Sequence, residues 1–477
     1  MEKNKNSWIV LALMAFTSVW GFGNVTNGFF YFEGIKSIIP WIVIFALYFI
    51  PYALMVGELG SAFKEEGGGV SSWINRTMGA KLAYYAGWTY WACHIAYIVN
   101  KSSSSLKSLS WIIFRNAETY DAIPSYYIQI ATLAVLLIAC FIAVRGINPL
   151  KKLLTIVGGA GFVMSILYII MMFAAPAINP TADYVNTSIN FQALLPNLSV
   201  AFFTSLSILV FAVGGSEKIS PYVNKVKNPS KDFPKGMIAL AIMVVVCAVL
   251  GTIAMSKMFD PAVFTADTAT LNSYIANGQY WAFQKLGNYY HIGDSLLIIY
   301  AVSRLITEFS VIILSIDAPL RMLLDNEQSR EFIPTKLHKK NKHGAYINGI
   351  WLVVILCGGL IVIQSIVPGA SNIISQLIKL NSVCMPIRYL WVFAAYIALR
   401  KHFDTIDAEY RFVKNQPLAK FFGVWCFLIT AVCICLGMYS EDTFTLILNI
   451  ATPLFLFALG LVMPLLAKRE KKMLNKS

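Results

Sequence analysis

Two glycine-bearing stretches, Gly21-Phe22-Gly23-Asn24 and Gly214-Gly215-Ser216-Glu217, interrupt long apolar segments at the start of two consecutive sets of about five such segments. Glycine loosens a helix, and unwound backbone inside a bilayer presents N–H and C=O groups that lipid cannot satisfy but a solute or ion can. The chemistry this predicts is recognition: N–H groups for an anion, C=O groups for a cation. One Gly-x-Gly in a membrane helix is more often a packing device, because small residues let helices approach closely. Two at matching positions point to paired helix breaks.

Ionisable residues within the apolar segments are the second group able to do chemistry. Glu217 follows the second break at once and needs a partner, water or a place near the membrane edge, since a charge at the bilayer centre costs roughly 2.5 to 3.5 kcal/mol on insertion scales. Arg304 and Glu308 are four apart, so they share one helix face and can pair there, either as a lock between helices or as a gating or proton-coupling element. Lys379 has no acidic neighbour in sequence and calls for a partner on another helix, a water cavity or an anionic solute. His94, Tyr97 and Lys101 form a polar stripe at helical spacing, in which His94 is a packing residue or a pH sensor. If Lys379 or Arg304 faces a cavity, an acidic solute is expected; if both are paired away, a neutral one.

These residues must be positioned by membrane helices. Of the 477 residues 57% are hydrophobic and only 13% charged, a balance that a bilayer solvates directly. Apolar windows predict an all-α polytopic protein with twelve spans near 8 to 32, 38 to 61, 82 to 112, 125 to 144, 152 to 175, 199 to 218, 236 to 257, 294 to 317, 347 to 367, 373 to 398, 420 to 438 and 443 to 467. The first is read as a retained span, with no small-residue cleavage pattern after it. Lys36, Lys101, Lys107, Arg115, Lys257 and Lys285 are the basic residues in the connections on one side. Arg304, Lys379 and Arg388 lie inside spans, and the rest of the 38 Lys and Arg fall on the other side, which places both termini in the cytosol of a cytoplasmic (inner) membrane protein. The longest connections, residues 258 to 293 outside and 322 to 345 inside, are too short and polar to form a domain with its own core.

Other function classes lose support. All eight cysteines lie in apolar stretches without disulfide or metal spacing. The net charge of +14 is distributed as membrane topology requires, so no nucleic-acid partner is expected. No GxxxxGK[ST] loop, HExxH or GxSxG element occurs, and neither an enzyme activity nor a cofactor is expected.

Three stretches carry a family resemblance. Residues 211 to 236 resemble the sixth-span signature of the amino acid-polyamine-organocation superfamily through Gly215, Glu217, Asn228, Pro229 and Pro234. Residues 57 to 79 are similar to the segment after its second span through Glu58, Glu66, Gly67, Gly68 and Trp73, and residues 317 to 346 resemble the connection after its eighth. Together with the span pattern the likeness covers about residues 8 to 467, nearest in look to the glutamate/GABA antiporter branch and its inner-membrane relatives.

The resemblance implies one transmembrane domain over 1 to 467, built as a five-plus-five inverted repeat of LeuT type. Repeat one covers about 8 to 175 and repeat two about 199 to 398; two extra helices occupy about 420 to 467, and 468 to 477 form a basic cytosolic tail. It implies a secondary carrier of a small amino acid or related amine, working by alternating access with proton or sodium coupling open. The alternatives are a non-transporting sensor or a passive channel. By the same resemblance, Gly21, Phe22, Gly23 and Asn24 meet the substrate carboxylate, Ala212, Val213, Gly214 and Gly215 the amino group, and Phe211 gates the site. The chain departs from the pattern in having Gly-Phe-Gly-Asn where Gly-Ser-Gly is usual, and in lacking any ionisable group at residues 153 to 175, where some proton-coupled members carry a lysine.

Overall fold

The computed structural model describes residues 7–187, 189–366, 381–402 and 405–475. Among these, helices are the only regular elements. The first apolar segment is split into α1 (Trp8–Val19) and α2 (Phe22–Tyr31). A second continuous segment holds α3 (Ile38–Ile44), a π-helical turn at Phe45–Phe49 and α4 (Ile50–Ala62), and short α5 (Val70–Met78) leads into α6 (Ala80–Ile113). Then come α7 (Ser125–Ala143), α8 (Ile147–Ile178) and α9 (Val200–Val213), with a 3₁₀ segment at Ser216–Lys225. The remainder is α10 (Pro229–Ser256), α11 (Thr268–Tyr289), α12 (Ser295–Leu324), α13 (Ile347–Ile366), α14 (Asn381–Lys401), α15 (Gln416–Met438), α16 (Thr443–Leu459) and α17 (Val462–Leu474).

Among the described residues, eleven helical stretches are long and apolar enough to cross a membrane. The 34-residue α6 is not among them, because His94, Lys101 and a run of serines lower its hydropathy. It nonetheless packs along α12 at the middle of the molecule, while α1 lies against α8 and α10, and α10 against α4. Burial, not hydropathy, therefore marks α6 as central: Ser102, Ser105 and Ser108 are all fully covered. Apolar side chains such as Phe141, Ile170, Ile355 and Leu428 point outward, as a lipid-facing surface requires.

Three details differ from the expectations. The first break falls earlier, with Trp20 and Gly21 extended, so that Gly23 and Asn24 lie in the first turn of α2. The connection over residues 258 to 293 is not simply a loop: α11 packs on α2 and α12 through Phe283, Tyr280 and Leu286. The last apolar helix runs on as α17 into the basic end, where Glu470 accepts from Thr335 N at 2.8 Å. The tenth span is described only from residue 381, and Lys379 lies outside the described residues.

Candidate functional site

Both breaks have the same physical origin and different local chemistry. At the first, Trp20 and Gly21 take extended dihedrals open to any residue, so Gly21 is needed for space: a Cβ there would lie 3.0 Å from Arg304 Nη1. At the second, Gly214 is extended but packed so tightly under Tyr389 that a Cβ would overlap the ring. Gly215 has φ +113°, a left-handed conformation that disfavours any other residue.

The two interrupted segments are bonded to each other. Asn24 Nδ2 donates to Val19 O and to Ala212 O, both at 3.1 Å, and Ser18 Oγ donates to Gly215 O at 3.2 Å. Carbonyls that the missing helical bonds would leave bare are thereby paired. The Asn24 backbone N–H closes a turn on Gly21 O at 2.8 Å. Helix α2 begins with the N–H groups of Phe22 and Gly23, at the positive end of its dipole.

On one side the first break is covered by charged and polar side chains. Arg304 of α12 lies beside Gly21 and Gly23 and pairs with Glu308, which also binds Lys101 Nζ of α6 at 3.0 Å. Gln279 of α11 reaches the same place: its Oε1 accepts from Tyr300 OH at 2.6 Å and stands 2.9 Å from where a Gly23 Cβ would be. The Phe22 ring turns away into a cluster with Tyr168, Phe283 and Tyr300, at 4.6 to 5.8 Å between centroids. Between Thr17, Trp20, Gly21, Ser303, Arg304 and Thr307 lies a cavity of about 20 Å³, room for a water.

On the other side of the breaks is a second charged cluster. Glu217, fully buried, accepts from Tyr52 OH and from Gly215 N at 3.1 Å, and faces Arg388 Nε of α14 at 3.5 Å. Arg388 Nη1 also contacts His94 Nε2 at 2.9 Å, while His94 Nδ1 lies 2.5 Å from Tyr90 O. Guanidinium and carbonyl together dictate the neutral tautomer with its proton on Nδ1, since the first only donates and the second only accepts. His94 is thus hydrogen-bonded through both ring nitrogens. Lys218, next to Glu217, points elsewhere, to Ser315 Oγ of α12 at 2.7 Å and over the Tyr97 ring at 5.1 Å. Lys101 sits over the same ring at 5.6 Å, so two ammonium groups share Tyr97.

Of the sequence-predicted residues, Gly21, Gly23, Asn24, Ala212, Gly214, Gly215, Glu217, Arg304 and Glu308 come together at the breaks. Val213 is buried, and Phe211 meets Tyr97 edge-on at 6.5 Å. Lys218, Arg388, Lys101, Gln279 and Tyr389 join them without having been singled out for this role. Arg388 could have been found as an arginine within an apolar span; Gln279 and Tyr389 carry no comparable signal. Among the described residues, Lys101, Lys218, Arg304 and Arg388 face only Glu217 and Glu308; Lys218 and Arg388 are buried and Lys101 and Arg304 half-buried, so the site holds four cations to two carboxylates.

The amino acid permease family model matches residues 7–462. An aspartate/glutamate permease, AcaP of Lactococcus lactis subsp. cremoris, is 41% identical over 99% of this chain and 97% of its own length. The glutamate/gamma-aminobutyrate antiporter of Lactococcus lactis subsp. lactis is 25% identical over 74% of this chain and 68% of its own. The Escherichia coli inner membrane transporter YjeM is 30% identical over 50% of this chain and 49% of its own.

Proposed function

The chain belongs to the amino acid permease family, and from that premise we propose that it carries acidic amino acids, aspartate and glutamate, across the cytoplasmic membrane. Membership makes it a multi-pass secondary transporter of amino acids or amines. The finer claim is supported above all by the charge of the site: four buried or half-buried cations face two carboxylates around the two breaks, and an excess of that kind within a membrane is costly unless an anion completes it. A substrate with two carboxylates and one ammonium completes it better than a neutral amino acid or a diamine. The permease that is 41% identical to this chain has the same substrate class in its name.

In this scheme the α-carboxylate meets the N–H groups of Phe22 and Gly23 at the start of α2. The ammonium meets the carbonyls at the end of α9, from Ala212 to Gly215, under Phe211. The side-chain carboxylate is taken by Arg304, whose planar fork suits it, with Lys101 behind. Helix α6 is the twelfth span, both termini are cytosolic, and the two interrupted helices head the halves of a five-plus-five inverted repeat. Gln279 and Tyr300 close the outer approach, and movement of the helices around the breaks opens one side at a time.

The test is transport by the purified full chain in liposomes, offered radiolabelled aspartate, glutamate, leucine, γ-aminobutyrate and putrescine, with and without counter-substrate inside. Saturable flux of aspartate and glutamate, competed by each other and not by leucine, is the expected result. Flux of neutral or cationic compounds alone overturns the acidic assignment. Conductance too fast for one conformational cycle per solute, or binding without flux, overturns transport by alternating access.

A further inference from the structure

We propose that Lys218 is the proton-binding group that couples substrate movement to a pH gradient; this rests on the acidic-substrate reading above.

Its place in the fold is unusual for a lysine. Lys218 is 2% exposed, forms no ion pair among the described residues, and gives its Nζ to a neutral acceptor, Ser315 Oγ, at 2.7 Å. That hydroxyl donates onward to Val311 O at 2.6 Å, so it accepts a hydrogen bond from Lys218 and has none to offer back. The other group under the amine is the face of Tyr97, which favours a cation but supplies no counter-charge. From α14, Arg388 acts on it, and from α6, Lys101 and His94, the last fixed as the neutral tautomer. The nearest carboxylate, Glu217 on its own segment, is already committed to Arg388, Tyr52 and Gly215 N. Glu308 on α12 is held between Arg304 and Lys101.

A buried amine surrounded in this way holds its proton at a cost, and an anion arriving in the site lowers that cost. By linkage the reverse also holds: protonated Lys218 tightens anion binding by the same factor. Lys218 also stands where such a change can be turned into motion. It lies three residues past Gly215, on the segment hinged at the second break, and its ammonium ties that segment to Ser315 on α12 and Tyr97 on α6, two helices packed along each other. Losing the proton removes the cation–π attraction and weakens the hydrogen bond. The balance is one proton taken by the amine on one side and released on the other for each substrate of charge −1, so the pair crosses without net charge.

The experiment uses the full chain in liposomes loaded with a pH-sensitive dye. Wild-type protein is expected to accumulate aspartate against its gradient when the outside is acidic, to acidify the lumen by about one proton per substrate, and to ignore a valinomycin-imposed potential. Lys218→Gln is expected to exchange aspartate across the membrane, more slowly, while losing gradient-driven accumulation. Lys218→Arg, which cannot release its proton, should behave the same way. Should both variants be inactive, Ser315→Ala decides, because removing the ammonium's acceptor is expected to move the half-maximal pH of uptake to lower values, and an unmoved profile overturns the proposal. Aspartate flux without proton movement in the wild type, or full pH-driven accumulation in Lys218→Gln, also overturns it while leaving the acidic-substrate reading intact. Absence of acidic amino acid flux in the wild type defeats that reading first and this proposal with it.

Discussion

One side-chain amide, that of Asn24, stands 3.1 Å from Val19 O in the first break and 3.1 Å from Ala212 O at the edge of the second. Two helices interrupted almost two hundred residues apart are thus bridged by one side chain with two donors, beside the bond from Ser18 Oγ to Gly215 O. Asn24→Ala deprives both carbonyls of their partner, and each bare buried acceptor costs about 1–3 kcal/mol. The variant is expected to melt several degrees lower in detergent and to transport about tenfold more slowly. Asn24→Asp should be worse, because it aims a carboxylate at two carbonyl oxygens. Wild-type melting and flux in Asn24→Ala would show that the bridge carries no weight.

Gly215 and Gly79 separate backbone strain from crowding. Both have positive φ, +113° and +95°, but a Cβ at Gly215 would lie 3.0 Å from Ser18 O whereas one at Gly79 meets nothing within 4 Å. Alanine at these positive-φ conformations, left-handed at Gly215 and extended at Gly79, costs on the order of 1–3 kcal/mol at either site. Only at Gly215 does it also push the two breaks apart. Gly215→Ala is therefore expected to lose transport by more than tenfold, and Gly79→Ala to keep it with a slightly lower melting temperature; equal transport losses would mean that strain alone matters.

The contrast between the breaks also shows what a linear sequence can carry. At Gly214-Gly215 the residues that permit the unwinding are the residues that unwind, so pattern and position coincide. At the first break Gly23 stays helical, and the opening slips back to Trp20 and Gly21, where Arg304 and the Asn24 amide stabilise it. Partners brought from α12 and α9 set that boundary, and spacing within one segment cannot reveal them. Arg304 and Glu308 were legible as a pair because helical periodicity joins residues four apart. Arg388 with Glu217, and Lys101 with Glu308, are joined only by packing. Helix α11 was hidden for a related reason: its outer position gives it a polar composition, though one face is core.

That helix makes a pH-dependent prediction, because Asp267 caps it. Its carboxylate accepts from Thr270 N at 2.8 Å and Thr270 Oγ1 at 2.7 Å, which holds its pKa below the ordinary 3.8. A lowered carboxylate contributes stability that is complete above its unfolded value and is lost as pH falls through the folded one. Relative to the intrinsic exchange rate at each pH, amide protection at the start of Thr268–Tyr289 should therefore be high at neutral pH and fall below about pH 4 in the wild type. Asp267→Asn keeps a capping oxygen without the titration and should flatten that dependence; Asp267→Ala should be less protected at both pH values. An identical acid response in Asp267→Asn would assign the effect to another group.

Arg304 is the residue proposed to select the substrate, and its partner makes the test demanding. Glu308 is buried and shared by Arg304 and Lys101, so removing Arg304 alone weakens the anchoring of that carboxylate as well as any contact with substrate. The pair of substitutions Arg304→Met and Glu308→Gln takes away one charge of each sign and leaves Lys101 as the remaining cation of the triad. If the guanidinium only neutralises Glu308, the double variant should recover the wild-type KM for aspartate. If it holds the substrate's side-chain carboxylate, KM should stay at least tenfold higher, a loss of about 1.4 kcal/mol or more, while competition by leucine becomes measurable. Arg304→Lys keeps the charge without the planar fork and is expected between the two. Initial uptake rates over a range of aspartate concentrations, with and without leucine, distinguish these outcomes, and recovery of the wild-type KM in the double variant would remove Arg304 from recognition.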